Sequence, residues 1–141
     1  MKLSARTEYA CLAVMYLAEN WSAAAPVQIR RIAEEHGIPA RFLVQILLQL
    51  KGVGLVTSIR GAGGGYRLNK APTEITLRDV IETMEGDDWP STSCDKSSPL
   101  GEALLSFRQE LCRTRRERLE SISLAELVEQ AAVDAEPMWY I

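Results

Sequence analysis

The chain has 141 residues, 47% of them apolar and 25% charged, with a formal net charge of −3. That much apolar sequence supports one buried core and excludes global disorder, while the longest apolar run, Ala10 to Ala18, is about half of what a membrane helix needs and, with Glu8 in front of it, makes no signal peptide, so a cytoplasmic protein is expected. The total charge hides an asymmetry: residues 27–70 carry Arg30, Arg31, Arg41, Lys51, Arg60, Arg67 and Lys70 against Glu34 and Glu35, a net of +5, whereas residues 71–141 carry a net of −8.

Ser4 is placed to cap a first helix of about sixteen residues, with Ala10, Ala13, Val14 and Leu17 on one stripe. A shorter helix repeats that spacing at Ile29, Ile32, Ala33 and His36 and stops at Gly37. Pro39 then sits where a first helical residue would, and Leu43, Ile46, Leu47 and Leu50 make the stripe of a third helix. Two short helices joined by a tight glycine-containing turn form a helix-turn-helix. Beyond Gly54 the period changes. Leu55 to Arg60 reads as a strand, Tyr66-Arg67-Leu68 as its return, and Gly61 to Gly65 as a hairpin loop with four glycines in five positions. Three helices followed by a hairpin make a winged helix-turn-helix.

Thr76 and Asp79 predict a capping box for a fourth helix through Leu77, Val80, Ile81 and Met84. Gly86 to Pro99 reads as a loop. A long helix then runs from about Pro99 to Ser121, with Leu105, Cys112 and Leu119 recurring every seven residues beside Leu104, Phe107 and Leu111. So long a helix cannot bury its stripe on so small a domain, which predicts a partner helix. Ser123 and Glu126 cap a last helix. The expected fold is mainly α with a small β-hairpin: a DNA-binding winged helix at 1–85, a loop at 86–98, and a dimerisation helix with a C-terminal helix and tail at 99–141.

On the third helix the buried stripe turns Arg41 and Gln45 outward with Phe42 beside them. Arg can fork onto guanine, Gln can pair with adenine, and Phe can meet a thymine methyl. Lys51, Arg60, Arg67 and Lys70 suit phosphates, and glycines at the wing tip let backbone N–H groups approach a phosphate or a minor groove. The run Gly61 to Tyr66 lacks the last glycine of a dinucleotide fingerprint and the Lys of a P-loop, so it predicts no nucleotide site. A different class remains open: a winged-helix protein-interaction module, whose acidic second half and Met138-Trp139-Tyr140-Ile141 tail recruit a partner. One histidine and no nucleophile–base pair leave little for an enzyme to use.

The segments Met1-Lys2-Leu3-Ser4, Ile32-Ala33-Glu34 through Gly37-Ile38, Gly54-Leu55-Val56 and above all Arg60-Gly61-Ala62-Gly63-Gly64-Gly65-Tyr66-Arg67-Leu68 resemble the Rrf-two family of bacterial winged-helix regulators. That family includes iron–sulfur, nitric-oxide and cysteine-metabolism regulators. Ile75 to Gly86 and Ile122 to Leu127 also match, so the similarity covers nearly the whole chain. It implies a homodimer, clasped by the long helix at Leu104, Phe107, Leu111, Cys112 and Leu119, that binds a pseudo-palindromic operator on double-stranded DNA; the reading taken is a repressor, although repression and activation differ only in where the operator lies. It also implies base contacts from Arg41, Phe42, Gln45 and the wing arginine Arg60, with Gly61, Gly63, Gly64, Gly65, Tyr66 and Arg67 in the wing motif. Arg41 and Phe42 depart from the small polar or Tyr residues common there, so the operator sequence does not carry over.

Cluster-bearing members place three cysteines before the long helix, where this chain has Cys94 alone and Ser98 at the last position. The three-cysteine site is therefore absent, and the effector stays unassigned. The resemblance leaves an atypical iron–sulfur or redox site built from Cys94 with Glu8 and His36, which fall at positions where some members supply ligands from the other subunit. The residues also have plainer readings. His36 continues a core stripe, Cys11 and Cys112 read as small core residues, and Glu8 as a first-turn carboxylate favoured by the helix dipole. Three widely spaced cysteines suit a reducing compartment better than a disulfide framework.

Overall fold

A computed structural model describes residues 2–23, 25–86 and 97–135; Cys94 and the Met138–Ile141 tail lie outside the described residues. The elements are α1 (Ala5–Glu19), α2 (Ile29–His36), α3 (Ala40–Gly52), the antiparallel strands β1 (Val56–Ile59) and β2 (Gly65–Leu68), a 3-10 turn at Pro72–Glu74, α4 (Leu77–Glu85), α5 (Pro99–Glu120) and α6 (Leu124–Asp134). It is the mainly helical fold with a two-stranded hairpin that the sequence predicts.

The helix ends follow from their capping residues. Ser4 Oγ accepts from Thr7 N at 3.2 Å, and both Thr76 with Asp79 and Ser123 with Glu126 form reciprocal capping boxes. Gly37 takes a left-handed conformation at φ 62°, and Ile38 N donates to Ala33 O at 3.1 Å, so α2 closes and the chain turns at once into α3. Pro39 is one position earlier than its sequence suggests. Its ring fixes φ, but ψ of 126° keeps it extended, and α3 starts at Ala40 with Pro39 O accepting from Phe42 N and Leu43 N. The first strand is likewise shorter than Leu55–Arg60. Leu55 N is taken by Leu50 O at the end of α3, and Arg60 already belongs to the loop.

α1 lies at the centre, against α2, α3, α4, α6 and β2, which explains why its apolar residues spread around the helix. Leu17, Ile32, Leu43, Ile46, Leu47, Leu50, Leu68, Ile75, Val80 and Leu124 are the large, fully buried side chains of the core. Each contributes roughly 1.5–3 kcal/mol relative to exposure. The hairpin pairs Val56 with Leu68 and Ile59 with Gly65. Sequence periodicity did not reveal a second partner for β2: Val27 and Tyr66 exchange two backbone hydrogen bonds of 2.8 Å, fixing the hairpin to the segment before α2. A similar closure joins distant parts of the chain, as Leu77 N donates to Ile122 O and Leu124 N to Ile75 O.

α5 packs beside α4 and has no buried residue. The Arg78 guanidinium ties the two, reaching Glu82 at 2.7 Å and Glu120 at 3.0 Å. Two apolar lines run along α5. Leu105, Cys112 and Leu119 are half-buried, whereas Leu100 (84% exposed), Leu104, Phe107 and Leu111 face outward. The outward line has the alternating four- and three-residue spacing of a helix-pairing seam.

Candidate nucleic-acid interface

α3 divides into two faces. Leu43, Ile46, Leu47 and Leu50 are buried completely, and the opposite face exposes Arg41, Val44, Gln45, Leu48 and Lys51. The helix carries no carboxylate. Arg41 stacks its guanidinium 4.9 Å from the centre of the Phe42 ring, a cation–π contact that holds both side chains at the start of the helix. Lys51 Nζ donates to Ser58 Oγ at 2.7 Å, so the last turn of α3 is tied to β1. On the other flank Gln49 Nε2 donates to Thr83 O of α4 at 2.7 Å. The outward-facing Arg41 and Gln45 follow from the buried stripe. Val44 and Leu48, three and seven positions after Arg41, share its side of the helix, and that spacing is the sequence signal for their exposure.

In the wing, Arg60 is exposed beyond β1, and Gly61 and Gly63 have open space around them. Gly64 and Gly65 serve a different purpose. A Cβ at Gly64 would overlap the carbonyl oxygen of Ile59, and one at Gly65 would overlap the backbone of Val27. These two glycines let the hairpin close and dock. Gly64 N donates to Gly61 O at 3.0 Å, so that N–H is used inside the turn. Arg67 is half-buried with its guanidinium 5.9 Å from the Trp21 ring centre, Tyr66 is half-buried beside the Val27 bridge, and Lys70 is exposed beyond β2. Wing and helix together present Arg41, Lys51 and Arg60 around the α3 surface.

His36 is not a core residue. α2 ends at Gly37, so its last turn projects past the core, and the exposed imidazole packs edge-on against the Tyr16 ring with centroids 4.9 Å apart. Glu8 is an exposed first-turn carboxylate of α1, roughly two turns from Tyr16, so Glu8 and His36 of one chain do not converge. Cys11 packs half-buried against the core; burial first, then Glu8 and Glu85, push its thiol up to about 11, which keeps it protonated and makes it a poor metal ligand. Cys112 is half-buried on α5. Among the described residues no three His, Cys, Asp or Glu side chains are grouped to hold a metal; Cys94 lies outside those residues.

The comparisons with known proteins bear on the whole arrangement. A family model described as "Rrf2: Iron-dependent Transcriptional regulator" matches residues 3–130. The chain belongs to the Rrf2 family of transcriptional regulators. Among Rrf2 relatives, the HTH-type transcriptional regulator IscR of Escherichia coli is 33% identical over 94% of this chain and 83% of its own length. Of solved structures, T. potens IscR superposes with a TM-score of 0.82 at 30% identity, covering 99% of this chain and 95% of that one. CymR (YrzC), the global cysteine regulator of B. subtilis, gives 0.81 at 29% identity, covering 92% and 98%. The chain is a transcriptional regulator of this type, and no described helix is long and apolar enough to cross a membrane.

Proposed function

We propose that the chain is a homodimeric, sequence-specific repressor that binds double-stranded DNA with α3 in the major groove and the Gly61–Gly65 wing at its flank. The observation that carries this reading is the α3 surface: a fully buried apolar face on one side, and on the other Arg41, Gln45 and Lys51 with no carboxylate on the helix. Arg41 and Gln45 have the donor and acceptor groups to read guanine and adenine edges, with Phe42 against a thymine methyl. Lys51, Arg60 and Arg67 contact phosphates, and the open backbone at Gly61 and Gly63 admits a phosphate close to the wing tip.

The outward line Leu100, Leu104, Phe107 and Leu111 supports pairing of α5 with its copy in a second chain, with the half-buried Cys112 and Leu119 flanking the seam. Two copies of α3 then reach half-sites about one helical turn or a multiple of it apart, which demands a pseudo-palindromic operator. Residues 1–85 take the DNA-binding role and 99–141 the dimerising one. The effector is left unassigned.

Salt-dependent fluorescence anisotropy tests the reading, using a duplex enriched from a random pool by the full-length protein. Three phosphate-contacting cations per protomer give a slope of log K against log salt of about −5. A slope near zero would favour a protein-interaction module in place of a DNA-binding one.

A further inference from the structure

The DNA-facing side of α3 is unusually apolar for a surface that meets a polyanion. Leu48 is 56% exposed and Val44 40% exposed, and no described contact of the fold covers them. They stand one turn apart, between Lys51 on the flank tied to β1 and Arg41 with Gln45 on the other side. Neither has a role in holding the core, since Leu43, Ile46, Leu47 and Leu50 complete that face of the helix.

We propose that Val44 and Leu48 form a methyl-reading strip that selects 5-methyl pyrimidines, in practice thymines, in each operator half-site. The proposal rests on the DNA-binding reading above and specifies the sequence class it takes. Three observations favour the major groove over a protein partner as occupant. The strip lies between basic side chains, α3 has no carboxylate to repel a phosphate backbone, and Lys51 is fastened to the hairpin on one side of it. The major groove carries one apolar group on its base edges, the thymine methyl, and an aliphatic side chain is the kind that meets it. Val44 and Leu48 are about 6 Å apart along the helix axis, close to two base-pair steps of about 3.4 Å. The strip therefore spans two thymines within a window of three base pairs, next to the bases read by Arg41 and Gln45.

The test replaces thymine by uracil, which removes the methyl and leaves every hydrogen-bonding group in place. A duplex enriched from a random pool by the full-length protein is scanned with single dT→dU changes, and affinities are measured for the parent and for a Val44→Ala, Leu48→Ala double variant. Both residues are exposed, and circular dichroism verifies that the double variant folds. For the parent, one or two positions per half-site weaken binding about fourfold each, the loss equivalent to one buried methylene. The double variant binds the parent duplex more weakly and is indifferent to dU at those positions. A duplex bound tightly and sequence-specifically with every dU change neutral overturns the methyl-reading strip and the Phe42–thymine contact with it, and leaves the rest of the repressor reading standing. Equal dU penalties in parent and double variant overturn the assignment to Val44 and Leu48. Failure to enrich or bind any duplex overturns the DNA-binding reading itself, and this inference with it.

Discussion

At the scale of single residues, the hairpin glycines separate into two kinds. Gly64→Ala must push the added methyl into Ile59 O and is expected to destabilise the protein by about 1–3 kcal/mol, whereas Gly63→Ala meets open space and changes stability by less than about 1 kcal/mol. Urea melts of the two variants check this. For DNA contacts, Arg41→Ala is expected to cost roughly 1–3 kcal/mol and to relax sequence preference. Lys51→Ala should instead weaken all duplexes alike and, with one Lys51 lost from each protomer, reduce the salt slope by about two units. Cys11 supplies a third expectation. With its thiol raised from 9.0 to about 11, the thiolate fraction at pH 8 falls about a hundredfold, so alkylation by iodoacetamide is slow until the protein is unfolded. The sign follows for stability as well: the folded state favours the protonated thiol, a contribution present below about pH 9 and lost as pH rises towards 11. Of these residues, Arg41 and Gln45 were legible in the sequence, because a buried stripe determines its opposite face. The exposed His36 was not, since apolar spacing gives no sign of where the core stops beneath a helix's last turn.

At the scale of elements, caps and breakers were the most readable features. Ser4, Gly37, Thr76 with Asp79 and Ser123 with Glu126 mark helix ends within a residue, because each satisfies backbone groups locally. The Val27–Tyr66 bridge was not readable, because a two-residue pairing between distant segments has no periodicity. α5 lies between these cases. Its seven-residue repeat Leu105, Cys112, Leu119 drew attention, yet the most exposed line is Leu100, Leu104, Phe107, Leu111. If that line pairs two chains, Phe107→Glu inserts a charge into the seam and sedimentation velocity should report a monomer. Leu105→Ala, on the half-buried side, should lower thermal stability with less effect on association.

At the scale of the whole molecule, one exposed carboxylate joins the chain's beginning to the end of α4. Glu85 Oε1 accepts from Ser4 N at 2.9 Å and from Thr7 Oγ1 at 3.0 Å, and Thr7 is fully buried. The Ser4 backbone hydrogen bond is the largest cause holding the Glu85 carboxyl below its usual value of 4.5, against the opposing effect of burial. A lowered carboxylate stabilises the fold above its ordinary titration range, and that contribution disappears as pH falls through the folded value. Thermal melts between pH 6 and pH 3 should show Glu85→Gln less stable than the parent at pH 6, with the difference narrowing as pH falls below 4.5. The backbone closure of Ile75 and Leu77 onto Ile122 and Leu124 has a consequence of its own. It pins the two ends of the stretch 78–121 side by side, so that the chain enters α4 and leaves α5 at one place. A change of length or chemistry within that stretch leaves the junction itself untouched, because its hydrogen bonds are made by Ile75, Leu77, Ile122 and Leu124, all outside it.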